Sequence, residues 1–367
     1  WYVKWSWRFR IMSLIKINNI TNRNGDTGPI IAGVSSVRST GFMIMPSGDT
    51  EIRGAGSGRG IHAGGSNSPS APNGTDVADY FTIATTGNAV DFGNLSVARY
   101  NPAACSSSTR GIFAGGQGSP GTLYNVMDYF LISSGGGAID FGDVTEVIQA
   151  TSFSSNSTRG VMMGGQNPNG IYTNTRLRAI RYIEMATTGN TNGFGELSAN
   201  WQTGGSGLSS PTRAFIPGGQ IGTGPAIGDK AFTSDIDFVT FASGGNSIKF
   251  GELNFTGGYY QANATSTTRG LIAAGANPAT TNTISYITMA SDGNAVDFGD
   301  RTVARFGDQA TSNKIRGVFA GGYVPSPAAF HNTIDYVTIA SLGNAADFGD
   351  LTLAKYSGAA CSDVHGG

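Results

Sequence analysis

RGVFAGG at 316–322 and IDYVTIASLGNAADFGDLT at 334–352 decide the fold, because both strings recur along the chain. The first returns as RGIHAGG at 59–65, RGIFAGG at 110–116, RGVMMGG at 159–165, RAFIPGG at 213–219 and RGLIAAG at 269–275. Each copy then carries an aromatic residue: Tyr80, Tyr129, Tyr182, Phe238, Tyr286 and Tyr336. Twelve residues after each aromatic stands a Phe-Gly pair, at Phe92, Phe141, Phe194, Phe250, Phe298 and Phe348. From the glycine of that pair to the next Arg the distances are 17, 17, 18, 18 and 17. Six copies of one unit therefore begin near residues 59, 110, 159, 213, 269 and 316.

Strings such as RGIFAGG and IDYVTIAS are β-branched and aromatic with apolar residues on both faces, the signature of strands packed on both sides. The Gly-Asn step before Phe-Gly suits a hairpin, since both residues accept positive φ. A further strand, as in RYNPAACSSS at 99–108, precedes the next Arg. Four strands in about 50 residues match a propeller blade. The last segment, KYSGAACSDVHGG at 355–367, resembles that strand, which the first copy lacks in front of Arg59. The expected fold is all-β: a six-bladed propeller at 59–367, closed by the C-terminal strand and preceded by an extended β leader at 1–58.

Glycine makes up 56 of 367 residues, yet its fixed repeat positions exclude a collagen or a linker. Lys and Arg (23) nearly cancel Asp and Glu (24), so nucleic acid is not expected as a partner. The longest apolar runs are too short to predict a membrane span. Residues 1–11 alternate strictly, with Trp1, Trp5, Trp7 and Phe9 on one face, and read as an anchoring strand that adds to another chain's sheet.

The repeat resembles the kelch repeat, with a strand ending in Gly-Gly followed by an aromatic strand, although Phe-Gly stands where the kelch family has a Trp. The text from 13 to 54, SLIKINNITNRNGDTGPIIAGVSSVRSTGFMIMPSGDTEIRG, resembles the leaders of tail-fibre and other virion proteins of marine tailed phages. Copies reading like residues 316–352 are familiar from the same proteins. This resemblance implies a structural virion protein: a tail fibre, a tail-associated protein or a capsid decoration. It implies as partners other virion proteins through residues 1–58, a host-surface glycan or protein, and further copies of the chain. A cellular kelch-type interaction adaptor is the alternative, and a glycan-active enzyme a weaker one.

Each copy carries an Arg at its start and most carry an acid after Phe-Gly. Arg110, Arg159, Arg213, Arg269 and Arg316 are expected to pair with Asp143, Glu196, Glu252, Asp300 and Asp350 as structural ion pairs. The histidines, His62, His331 and His365, form no ligand pattern, so neither metal nor cofactor is expected. Cys105 and Cys361 occupy equivalent small-residue positions and read as packing. Enzymatic function is not expected.

Length varies in one place. From the last residue of the Gly-Gly strand to the aromatic, the distances are 15, 13, 17, 19, 11 and 14. These loops must share one face of a propeller, where they form the expected binding surface. Tyr124, Tyr172, Phe232, Tyr323, Phe330 and His331 are its aromatic candidates.

Overall fold

The computed structural model describes residues 58–68, 74–167, 176–202, 207–222, 230–255, 258, 260–276 and 279–364. The chain divides into two compact units, Trp1–Ile52 and Arg53–Gly367, and the described residues belong to the second. The leader, with Trp1, Trp5, Trp7 and Phe9, lies outside them, as does Tyr172.

Within that unit the chain is a β-propeller with no helix among the described residues. In the second copy an inner strand, Ala103–Ser106, pairs with Arg110–Ala114. That strand pairs with the aromatic strand Val126–Leu131, which pairs with the outer strand Ile139–Asp143. The Arg strand is buried from its second residue onward, as the doubly apolar sequence requires. Four such four-stranded sheets form. Copies three and four merge into one eight-stranded sheet, because Asn192–Gln202 runs on to pair with Arg213–Gly222 at Trp201–Ile221 and Gln202–Gln220. In the first copy the strand beside Arg59–Ala63 is Ala359–Ser362, paired from Gly60–Ser362 to Ala63–Ala359.

The copies join through a contact that explains their most constant spacing. The hairpin of each copy lies against the outer strand of the copy before it. The Gly136 and Ala138 N–H groups donate to the Phe92 and Asn94 carbonyls, both at 2.8 Å. Gly189, Gly245, Gly293 and Gly343 donate likewise to Phe141, Phe194, Phe250 and Phe298, and Gly87 donates to Phe348 of the last copy. A methyl group on Gly142 of the Phe-Gly pair would stand 2.5 Å from the Gly189 carbonyl oxygen. Only glycine permits that approach. The contact also covers the outer edge that each sheet would otherwise expose.

Inner strands neighbour one another in the same order, with Ala359–Ser362 beside both Gln309–Ser312 and Ala103–Ser106. Hydroxyls stitch them: Ser106 Oγ donates to the Ser362 carbonyl, Ser155 Oγ to Ser106, Ser209 Oγ to Ser155 and Ser362 Oγ to Ser312, at 2.7–2.9 Å. Cys105 and Cys361 are free and buried in these strands.

The expected pairing of the repeat Arg with the Phe-Gly acids is overturned. Arg110 stands opposite Leu131, whereas Asp143 stands opposite Val126, five residues along the same strand and so about 17 Å away. The guanidinium of each repeat Arg instead lies over its own copy's aromatic ring. The centroid distances are 4.9 Å for Arg110, 5.0 Å for Arg159, 4.5 Å for Arg213, 4.8 Å for Arg269 and 4.6 Å for Arg316. Arg59 does the same over Tyr80.

Each of these Arg also donates to a carbonyl of the following copy: Arg59 to Ile132, Arg110 to Met185, Arg159 to Phe241, Arg213 to Met289, Arg269 to Ile339 and Arg316 to Ile83. The acids sit at the other end of the sheets. The backbone N–H groups of Asp143, Glu196, Glu252, Asp300 and Asp350 donate to Asn190, Asn246, Asn294, Asn344 and Asn88 at 2.9–3.1 Å. Their carboxylates remain partly or fully exposed.

The buried charges are others. Asp79, Asp128, Asp237 and Asp335 each precede a repeat aromatic and are buried. Each takes a hydroxyl from the preceding copy: Ser96 to Asp128 at 2.8 Å, Ser198 to Asp237 at 2.7 Å, Thr302 to Asp335 at 2.5 Å, and Thr352 to Asp79. Three also take a cation from that copy: Arg99 to Asp128 at 2.9 Å, Arg305 to Asp335 at 2.9 Å and Lys355 to Asp79 at 3.2 Å. Where the copy offers no cation, Asp237 gains a second hydroxyl, from Ser247 at 2.7 Å.

Candidate functional site

Those three cations begin the dipeptides Arg99-Tyr100, Arg305-Phe306 and Lys355-Tyr356. In each, the first side chain reaches the aspartate of the following copy, and the second stands beside the loops. The cations are 0% exposed, while Phe306 and Tyr356 are half-buried. The chain then turns through left-handed residues: Asn101 (φ 55°), Gly307 (φ 68°) and Ser357 (φ 54°), with Ala150 (φ 53°) and Tyr260 (φ 62°) at the equivalent points of other copies. Their N–H groups link neighbouring copies: Gly307 donates to Tyr260, Ser357 to Gly307, Asn101 to Ser357 and Ala150 to Asn101. Four non-glycine residues held at positive φ concentrate strain where the inner strands begin.

One arc of this mouth is aromatic. The loop of copy six folds into a small hairpin, Tyr323–Pro325 with Ala328–Phe330, whose rings cover the neighbours. Tyr323 lies 5.5 Å from Phe306 and 5.8 Å from Tyr356, and Phe330 lies 5.4 Å from Tyr356 and 5.2 Å from Tyr323. Tyr260 stacks on Phe306 at 6.3 Å. The opposite arc is made of amides. Gln149 Nε2 donates to Gln166 at 3.3 Å, and Asn101 Nδ2 donates to Gln149 Oε1 at 3.3 Å and to the Tyr260 hydroxyl at 3.1 Å. Tyr100 donates to Gln117, and burial, reinforced by Tyr356, pushes its hydroxyl up from the ordinary range.

No protein-family model matches the chain, and no curated protein is similar to it. The residues and their geometry carry the functional reading.

Of the expected binding residues, Tyr323 and Phe330 come together in the ring cluster, and His331 follows at its edge. Burial and then Arg305 hold the His331 imidazole below its usual range, so it is neutral at pH 7. Tyr124 belongs to the loop of copy two, where its N–H donates to the Gly116 carbonyl at 3.0 Å. Phe232 stands opposite Gln220 in the copy-four hairpin, whose strands extend to the pair Gly222–Lys230. Three of the ring residues, Tyr260, Phe306 and Tyr356, were not singled out from the sequence. For Phe306 and Tyr356 the signal was present in VARF and LAKY, as it was for Tyr100 in VARY, each a cation and an aromatic just before an inner strand; Tyr260, in GGYYQ, carries no such cation.

Among the described residues no group of three or more His, Cys, Asp or Glu could hold a metal ion, and no helix is long and apolar enough to cross a membrane. The rings and amides of the mouth offer stacking and hydrogen bonding. Asp79, Asp128, Asp308 and Asp335 below it are engaged in buried ion pairs.

Proposed function

We propose that the chain is a structural virion protein of a tailed phage, anchored through residues 1–58 and displaying a six-bladed propeller whose loop face recognises a glycan or protein on the host surface. The virion reading is supported by the leader text at 13–54 and by the repeat text at 316–352. The recognition reading rests on one observation: the half-buried rings of Tyr323, Phe330 and Tyr356 lie together on the face that carries every length-variable loop. A rigid scaffold with variable loops on one face is the usual arrangement of a binding surface.

Six blades are supported by the bonds between copies, which run from each copy to the next and from the sixth to the first through Arg316–Ile83 and Gly87–Phe348. The eight-stranded sheet then counts as two blades joined by two residue pairs. Closure by the C-terminal strand is supported by the pairing of Ala359–Ser362 with Arg59–Ala63.

Mass spectrometry and antibody labelling of purified particles test the virion assignment. The chain is expected on the particle surface at a discrete position. Its absence from particles, with abundance in the cytosol of uninfected cells, would support an adaptor instead.

A further inference from the structure

We propose that the mouth of the loop face binds a neutral saccharide, one sugar ring lying on Tyr323, Phe330 and Tyr356 and its hydroxyls meeting the amide arc. The inference rests on the recognition reading and names its ligand. Its first support is the shape of the apolar surface. Three half-buried rings within 6 Å of one another, tilted by 38–48°, make one aromatic cluster, continued by Phe306 and Tyr260. A pyranose presents a face of C–H groups that suits such a surface, and hydroxyls around its rim that do not.

The second support is the polar complement. Asn101 and Gln149 stand on the opposite arc, next to the left-handed turns. Asn101 Oδ1 and Ser357 Oγ are buried and have no hydrogen-bond partner among the described residues. Buried polar atoms are usually satisfied, and a donor from outside would satisfy these two. Sugar hydroxyls supply donors in the required number.

Charge decides the class of sugar. Arg99, Arg305 and Lys355 sit directly beneath the aromatics, but each is fully buried and paired with an aspartate. They offer no free cation to a carboxylate or sulfate. Arg176, bridged to Gln166 beside the amide arc, is buried as well and donates to Gln220 Oε1 at 2.7 Å. Desolvating an anionic glycan against these rings and amides is unfavourable without an exposed partner charge. A peptide could also place apolar side chains on the rings and backbone groups on the amides, and it is an outcome of the test below.

The test is binding of the full chain to a printed panel of neutral gluco- and galacto-oligosaccharides, sialylated and uronate-bearing glycans, and apolar peptides. Neutral glycans are expected to bind. Tyr323→Ala and Phe330→Ala should each weaken that binding by about tenfold, the equivalent of about 1.4 kcal/mol. Gln149→Ala, on the opposite arc, should weaken it independently of the ring variants. Melting curves identify any variant that fails to fold, and Phe330→Ala, at the end of the hairpin, then serves in place of Tyr323→Ala.

Binding only to acidic glycans or peptides, or neutral binding indifferent to both ring variants, overturns the saccharide assignment. So does an empty panel combined with retained binding of the chain to host cells, a result that leaves the recognition reading standing. Loss of both overturns the two together.

Discussion

The two faces of the propeller are built from different materials. On the hairpin face the Phe of Phe-Gly stands twelve residues after the aromatic in every copy, and backbone meets backbone across each boundary between copies. On the loop face the spacing runs from 11 to 19 residues, and side chains meet one another above the backbone bonds of the left-handed turns. A backbone contact with no room for a methyl group leaves no freedom in length or residue type. A face whose rings and amides stand above such backbone bonds, with its charges already buried below it, can change those side chains while the contacts between copies stay in place. The contrast separates what holds the copies together from what they display.

Truncating the chain after Ala354 attacks the first of these functions most directly. It removes Ala359–Ser362, the partner of Arg59–Ala63, and also Lys355, the partner of Asp79. The expected loss approaches the whole stability of an ordinary domain, about 5–15 kcal/mol, and chemical denaturation measures it. Next in size is Arg99→Met, which leaves Asp128 buried without its cation. Removing one partner of a buried pair costs about 3–5 kcal/mol. By contrast Arg110→Met removes a ring contact and carbonyl bonds at a partly exposed site, so its cost should be clearly smaller. Equal costs for the two would collapse the distinction drawn between these arginines. Gly142→Ala forces a methyl group toward the Gly189 carbonyl, and a loss of about 2–4 kcal/mol is expected in the same measurement.

Acid sharpens the comparison in another way. His62 lies in the strand paired with Ala359–Ser362 and is fully buried. Burial, and then Lys355, hold its imidazole well below the ordinary value of about 6.5, so the folded chain keeps it neutral. The unfolded chain takes up the proton first. Stability should therefore fall as pH drops below about 6.5, by at most about 1.4 kcal/mol per pH unit. His62→Leu should flatten that limb of the stability–pH curve whatever it does to the absolute stability. The smallest effect belongs to the loop face: replacing residues 223–229 with Asn-Gly should alter stability by under about 1 kcal/mol.

Strand order and spacing were legible in the sequence because each strand announces itself locally, in RGIFAGG or IDYVTIAS. The variable face was legible for the same reason. What the sequence concealed were partners across copies. A charge of each sign in every copy invited the pairing of Arg110 with Asp143, but spacing alone does not say which end of a sheet a side chain occupies. The true partner of Asp128 is Arg99, on the far side of a variable loop, and the pattern recurs in only three copies. Joining of copies three and four into one sheet depends on Trp201 and Gln202 meeting Ile221 and Gln220, a local accident no repeat could announce.

The account stands on the loop face being the one that touches the host. Cys105 and Cys361 are buried, and burial raises both thiols, so a cysteine introduced at the surface can be modified alone. Asn332→Cys places a bulky polyethylene glycol beside the aromatic mouth, and Leu342→Cys places it on the hairpin face, where Leu342 is 59% exposed. Binding of the two labelled proteins to host cells is the measurement. Loss of binding for Asn332→Cys with binding kept for Leu342→Cys is the predicted result, and the reverse pattern would contradict it.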